Sequence, residues 1–501
     1  MSNTSNDTSF SGEIRVAARI IDVLSSGLYE SPAACLKELI NNSYDAGATS
    51  VNVYVKPDAD RIIIEDDGIG LNRAEFEAHF KRISESHKRD ESDKIGVRPK
   101  IGKIGIGFVA ANEICEVMEI FSTKAGSTEL LHVFINFAEM RKPLTERRRD
   151  NDEIVKADYE GKVLRAERSE HYTKLFLTSV RGEAKQILAS ASSQNPKAQA
   201  RSLYGLEPDS VYKVLKDAKL NTWKDFDFYS ETLLHVALNL PIRYYSGWIP
   251  AKHHEKVKEF EDHLDILDFS VFYDGCELYK PIVFNPPDNS TLLERFEFKG
   301  ENISATGYFY AQHGTVKPLE LQGLLVRIRN AAVGEYDHTF WGFSQSDAGL
   351  IQRWISAEIW ADDRLEEAMR VDRGSFRIAY PAYVELRDAI HKQLRVVLNQ
   401  ATTKIYKANR SENITKKVKE LAKKKIAPVA PVAARNIEEL LESAATKASA
   451  RRSLQRKFSI IEFYETVLEV GKKVLTPSQL AKFLESLTER VGHEPTKKSR
   501  D

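Results

Sequence analysis

Glu38 and Asn42 stand four residues apart in the stretch Glu38-Leu39-Ile40-Asn41-Asn42-Ser43-Tyr44-Asp45-Ala46. On a helix that spacing puts both side chains on one face. The Asn42 amide then offers an oxygen to a hard cation such as Mg2+. The Glu38 carboxylate one turn away can orient and deprotonate an attacking water. A second segment, Asp66-Asp67-Gly68-Ile69-Gly70, follows a strand-like run. A carboxylate at a strand end can accept a hydrogen bond from an exocyclic amine such as that of adenine, and Gly68 and Gly70 let the backbone come close to a ligand. In a third segment, Gly102-Lys103-Ile104-Gly105-Ile106-Gly107-Phe108 opens an apolar, helix-like run to Ile114. Amides at a helix N-terminus bind phosphate, and glycines let the phosphate reach them. No Gly-Lys-Ser/Thr follows, so this is not the P-loop. The preceding strand and spacing of a dinucleotide fold are missing as well. Finally, Thr173 heads the strand-like run 174–178, where its hydroxyl can bond to a bound base or an ordered water.

The elements that must position these groups follow from patterning. Apolar residues at 14, 17, 18, 21 and 24 predict a helix over 13–27. Ser31 as N-cap and Pro32 in the first turn predict a second helix to about Asp45, stopped at Ala46-Gly47. Alternating runs at 51–55 and 61–65, joined by a turn at 57–60, predict a hairpin. Further strands are expected near 116–122, 129–136, 268–273, 303–310 and 321–329, and helices near 345–357 and 377–400. Residues 1–12 are expected to be disordered.

In order and spacing the four segments resemble the motifs of the GHKL superfamily: E-x-x-x-N, D-x-G-x-G, G-x-x-G-x-G and a late Thr. That group includes gyrase-type topoisomerases, the ninety-kilodalton heat-shock chaperones, MutL mismatch-repair proteins, MORC ATPases and histidine kinases. Ser43, Asp45, Ala46, Gly47 and Ala48 look like the MutL and MORC forms, and Ile101 to Phe108 like the chaperone form. The resemblance implies an α/β sandwich of Bergerat type over 13–225, with ATP and Mg2+ as cofactors. Carried over by position, Glu38 is the general base, Asn42 the metal ligand and Asp66 the adenine anchor. Gly102, Gly105 and Gly107 cradle the phosphates, and Thr173 supports the adenine network. Asp45, Ala46, Gly68, Gly70, Lys103, Ile104, Ile106 and Phe108 complete the nucleotide contacts. An ATP lid is expected over about 78–104, with Ser84, Ser86 and Lys88 as phosphate contacts.

Residues 226–402 are expected to form an α+β transducer-like domain that offers a cation to the γ-phosphate. Arg327 and Arg329, alternating with apolar residues and so projecting from one strand face, are the first candidates; Asp372-Arg373 before Ser375 and Phe376 is another. Residues 403–501 hold 22 Lys+Arg against 12 Asp+Glu in a chain of zero net charge. This reads as a basic helical tail with helices at 435–449, 453–472 and 477–491 and an extended Pro/Ala linker near 426–434.

Three scattered cysteines, Cys35, Cys115 and Cys276, support neither a disulfide framework nor a zinc site. The polar N-terminus lacks a signal-peptide core, and no apolar run is long enough to span a bilayer. A soluble cytoplasmic protein is expected. The reading is an ATP-hydrolysing switch with nucleotide-dependent homodimerisation, acting on nucleic acid through 403–501. A chaperone-like ATPase with protein clients and a low-turnover ATP-sensing scaffold are the alternatives.

Overall fold

The computed structural model describes residues 31–55, 59–81, 94–102, 110–138, 159–195, 200–344, 352–370, 373–406, 422–432 and 465–492, with 420, 435 and 463 as isolated positions. The segment 1–12, the helix expected at 13–27, the lid residues Ser84, Ser86 and Lys88, the run Lys103–Phe108, Asp372 and, past its first residue, the helix expected at 435–449 lie outside them.

The first helix, α1 (Pro32–Asp45), begins as its sequence dictates: Pro32 opens it, and the Ser31 hydroxyl accepts the Ala34 amide. Cys35, Leu36, Leu39, Ile40 and Tyr44 form its buried stripe. Further helices are α2 (Arg73–Lys81), α3 (Ala111–Ile114), α4 (Gly182–Ala189), α5 (Pro208–Leu215), α6 (Phe228–Asn239), α7 (His254–Asp265), α8 (Pro381–Gln400) and α9 (Pro477–Gly492). Helix α6 packs on both α1 and α4.

Two large sheets carry the core. The first contains β1 (Ser50–Tyr54), β2 (Arg61–Asp66), β5 (Cys115–Thr123), β6 (Glu129–Asn136), β7 (Tyr159–Arg165), β8 (Tyr172–Val180), β9 (Ser270–Tyr273) and β10 (Cys276–Glu277), in the order β10-β9-β1-β2-β8-β5-β6-β7. The strands β3 (Lys94–Ile95) and β4 (Arg98–Pro99) form a small hairpin of their own. Pairing in the first sheet is antiparallel except for β1 with β9, which run parallel, so the sheet is mixed. It draws β9 and β10 from residues 270–277, beyond position 225 where the sequence suggested a boundary. The Val55 amide donates to Asp274 Oδ1 at 2.8 Å beside this junction.

The second sheet contains β11 (Thr291–Lys299), β12 (Ser304–Gln312), β13 (Gly323–Ile328), β14 (Ala331–Asp337) and β15 (Ile355–Ala361), in the order β11-β12-β15-β13-β14. Strand β15 takes the place of the last three residues, 355–357, of the helix expected at 345–357; residues 345–351 lie outside the described residues. The strand lies between β12 and β13, with six of its seven residues buried. Ser356 and Glu358 are buried with their apolar neighbours, so polarity along this strand does not separate a covered face from an open one.

The chain divides into two compact units. One holds most of both sheets; the other comprises 286–292, 311–314 and the part from Arg395 onward. In the second unit, residues 427–430 form a turn in which the Val429 and Ala430 amides return to the Ile426 carbonyl. This replaces the extended linker expected there. No helix among the described residues is long and apolar enough to cross a membrane.

Candidate nucleotide site

Strand periodicity builds the floor of the site. In β2, Ile62, Ile64 and Asp66 share the buried face, so a carboxylate ends an apolar row. Register extends that row sideways: Asp66 pairs with Thr173 on β8, and Thr173 pairs with Ser122 on β5. The next rows, Ile64–Leu175–Ile120 and Ile62–Leu177–Met118, are apolar. One polar row therefore crosses three strands at the rim of a hydrophobic sheet face.

The hydrogen bonds orient this row. Ser43 Oγ, from α1, donates to Asp66 Oδ2 at 2.7 Å, and the Gly68 amide donates to Oδ1 at 2.9 Å. Burial pushes the Asp66 carboxyl up to about 6 against the opposing pull of these donors. Ser122 Oγ accepts the Leu71 amide at 2.8 Å, donates to the Tyr172 carbonyl at 3.0 Å and lies 2.9 Å from Thr173 Oγ1. Its single proton being committed to Tyr172, Thr173 is the donor in that pair and keeps its lone pairs for a ligand. Ser43 and Ser122 were not singled out as site residues from sequence. The parity of Ser122 with Met118 and Ile120 was visible, but its meeting with Thr173 depends on strand register.

The turn after β2 is held apart from the ligand side. Asp67 accepts the Thr49 and Ser50 amides and the Thr49 hydroxyl, which hold its carboxyl below the usual range although burial opposes them. A Cβ on Gly68 would sit 2.8 Å from Asp66 Oδ1 and 3.0 Å from the Ala46 carbonyl oxygen. Gly70 has φ +70°, and a Cβ there would lie 1.9 Å from the Thr123 carbonyl oxygen. Both glycines are thus required by close backbone packing. The Ala46 carbonyl is itself taken by the Ile69 amide at 3.0 Å.

Helix α1 carries Glu38 and Asn42 on its other side. Asn42 is exposed, and the Glu38 side chain is 14% exposed with Oε1 3.5 Å from Lys37 Nζ. Glu38 Oε1 and both polar atoms of the buried Asn41 side chain have no hydrogen-bond partner among the described residues. Asn42 offers one oxygen, which fits Mg2+, an ion that keeps several waters and takes substrate phosphates as further ligands. Asp45, at the end of the helix, accepts the Ile101 amide at 2.6 Å and the Gly102 amide at 2.7 Å. Its carboxylate therefore fixes the entry to the glycine segment.

Of the three candidate arginines, Arg327 and Arg329 stand differently from expectation. Arg327 is fully buried. It pairs with Glu358, donates to the Leu238 carbonyl at 3.0 Å and shares Glu358 with Tyr244 and with Tyr308 at 2.7 Å. Withdrawing it toward a phosphate would strand a buried carboxylate, so its assignment as a catalytic cation is corrected. Arg329 does not share its face: it lies past the end of β13, in the left-handed region at φ +52°. It donates to the Lys100 carbonyl at 2.7 Å and pairs with Asp363 and Glu366, each at 2.7 Å. Arg373 Nη1 donates to the Ile101 carbonyl at 2.6 Å, while its buried Nη2 has no hydrogen-bond partner among the described residues.

Comparison with known proteins bears on this geometry. Residues 29–160 match the family model described as histidine kinase-, DNA gyrase B- and HSP90-like ATPase. The chain is 32% identical over 114 residues to a putative type II restriction enzyme, HgiDII, of Herpetosiphon aurantiacus, covering 23% of this chain and 18% of that one. It is 38% identical over 89 residues to the DNA mismatch repair protein MutL of Solibacter usitatus, covering 17% and 14%. It is 29% identical over 133 residues to the chaperone protein HtpG of Bacillus subtilis, covering 22% and 21%. The chain thus spans less than a quarter of the length of these curated relatives.

Proposed function

We propose, from the match of residues 29–160 to the histidine kinase-, DNA gyrase B- and HSP90-like ATPase family, that the chain binds and hydrolyses MgATP to drive a conformational switch. The observation that carries the proposal is the polar row Asp66–Thr173–Ser122 at the rim of an apolar sheet face, tied by Ser43 to the helix that bears Glu38 and Asn42. The ionised Asp66 carboxylate accepts from the adenine amine, and Thr173 accepts a second donor. Glu38 orients and deprotonates the attacking water. Asn42 would hold Mg2+, which supplies charge neutralisation at the phosphates. Gly102, Lys103, Ile104, Gly105, Ile106, Gly107 and Phe108 cradle the phosphates, with Ser86 and Lys88 closing from the lid. The γ-phosphate cation in this reading is Arg373: its Nη2 has no partner among the described residues, while its Nη1 already grips the residue before Gly102.

Glu38→Ala should retain ATP binding and lower phosphate release about 10²–10⁴-fold. Turnover within threefold of wild type would remove Glu38 from the role. ATP should also pair two copies of the chain. Light-scattering mass and shape that stay the same with a non-hydrolysable analogue on Glu38→Ala would refute the switch.

Nucleic acid is the proposed target, in repair, chromatin-like work or defence against foreign DNA. The net positive charge of 403–501 and the likeness to MutL and HgiDII support it. With six phosphate contacts, log affinity for duplex DNA should fall against log salt with a slope near about −5. Absence of salt-dependent binding at about 50 mM salt would move protein clients ahead, a reading supported by the likeness to HtpG. A cytoplasmic setting belongs to this reading, and the three cysteines are free.

A further inference from the structure

Residues 98–102 lead directly into the glycine segment, and several polar groups along them are held by partners from other elements. The Arg98 guanidinium donates to the Ala48 carbonyl and, at 2.6 Å, to the Asp268 carbonyl, and it lies over the rings of Tyr44 and Phe269. The Lys100 carbonyl takes Arg329, and the Ile101 carbonyl takes Arg373. The Ile101 and Gly102 amides both go to the single carboxylate of Asp45. The Ile101 side chain itself is in the core.

Two of these partners sit where their own element disfavours them. Asp45 is the last residue of α1, where the helix dipole opposes a negative charge. Arg329 and Asn330 are the two central residues of the β13–β14 hairpin turn, with φ +52° and +73°. Such turns favour glycine or asparagine, and an arginine in the left-handed region is strained. Strain of that kind persists where surroundings over-determine it. Here three partners hold the buried guanidinium, one of them a backbone carbonyl of the strip beneath the glycine segment.

We propose that Asp45 and Arg329 are positioning residues that buckle the strip 100–102 from two sides. They fix the strip that enters the glycine segment, and Arg329 ties that strip to the β13–β14 turn. This rests on the nucleotide reading above. Loosening the buckle leaves the Asp66 row untouched. It therefore weakens ligands in proportion to their phosphates and spares the nucleoside alone.

The test uses full-length wild type, Asp45→Asn, Arg329→Ala and Arg329→Lys. Calorimetry measures a non-hydrolysable ATP analogue and adenosine, and amide hydrogen exchange reads Ile101 and Gly102 in the ligand-free chain. A lost hydrogen bond to a charged group weakens binding about tenfold or more. Analogue affinity should fall by that factor in Asp45→Asn and Arg329→Ala, with adenosine within about twofold and exchange at 101 and 102 accelerated. Arg329→Lys, which keeps one donor for Lys100, should recover part of both. Equal weakening of analogue and adenosine, or unchanged exchange at both amides, overturns the proposal. Wild type that binds neither ligand overturns the nucleotide reading instead, and the exchange arm still decides whether the buckle exists.

Discussion

The raised Asp66 carboxyl makes binding of the base depend on pH, with a sign and a midpoint that the structure sets. Burial lifts it from 3.8 to about 6, so near pH 5 only about a tenth of the chains carry the ionised acceptor. Only that form accepts from the base amine with both oxygens; the protonated form must place a proton on one of them. Affinity should therefore be flat from pH 8 to 7 and fall about tenfold per unit below 6. Adenosine is the ligand of choice, because it has no phosphate whose own titration would mask the effect. In Asp66→Asn the new amide still accepts from Gly68 through its oxygen and meets the Ser43 hydroxyl through its nitrogen, so the turn survives. The affinity of this variant should be about tenfold or more weaker at pH 7.5 and insensitive to pH. In the ligand-free chain the same group costs stability as pH rises from 3.8 toward 6, since the folded form holds the proton longer. Calorimetric titrations at half-unit steps from pH 8 to 5 decide the matter. An equal slope in Asp66→Asn, or an affinity of that variant within about twofold of wild type at pH 7.5, refutes the assignment of Asp66 as the base anchor.

Other residues make separable predictions. Glu358→Ala leaves Arg327 and Lys280 buried with no carboxylate between them, and denaturant unfolding should show a loss of about 3–5 kcal/mol; a loss under about 1 kcal/mol would mean the network relaxes freely. At His235 burial works to lower the pKa, but the carboxylates of Glu231 and Glu335 outweigh it and lift the imidazole to about 9. Its stabilisation is complete below 6.5 and disappears as pH rises through 9, so wild type should lose more melting temperature between pH 6 and 9.5 than His235→Gln; equal losses would exclude the effect. Gly70→Ala should fold poorly or bind no nucleotide, because its methyl would meet the Thr123 carbonyl; a thermal midpoint and ATP affinity matching wild type would contradict so close a backbone approach.

The first layer was legible because motif and period coincide there. Ser31, Pro32 and the stripe of α1 announce a helix, and the parity of Ile62, Ile64 and Asp66 already aims the carboxylate inward. The second sheet was less legible for physical reasons. Alternation at Arg327 and Arg329 says nothing about which face is core, and a two-residue turn after Ile328 breaks the alternation just where it was relied upon. Strand β7 is an exposed edge, Tyr-Glu-Gly-Lys-Val-Leu-Arg, in which no face needs apolar residues. The roles of Asp45 and Arg373 depend on partners far along the chain, Ile101 and its neighbours, and no local pattern encodes such a meeting.

The parallel pairing of β1 with β9 has a consequence for how the chain is made. The Val55–Asp274 hydrogen bond closes across 219 residues. At roughly 5–20 residues per second of synthesis, β1 waits about 10–45 s on the ribosome for its neighbour. Throughout that interval its free side is an open template for wrong partners, other nascent chains included. A gene fragment ending soon after Val180 would make this temporary exposure permanent. Expression of such a fragment should therefore yield inclusion bodies where one extended through Glu277 does not.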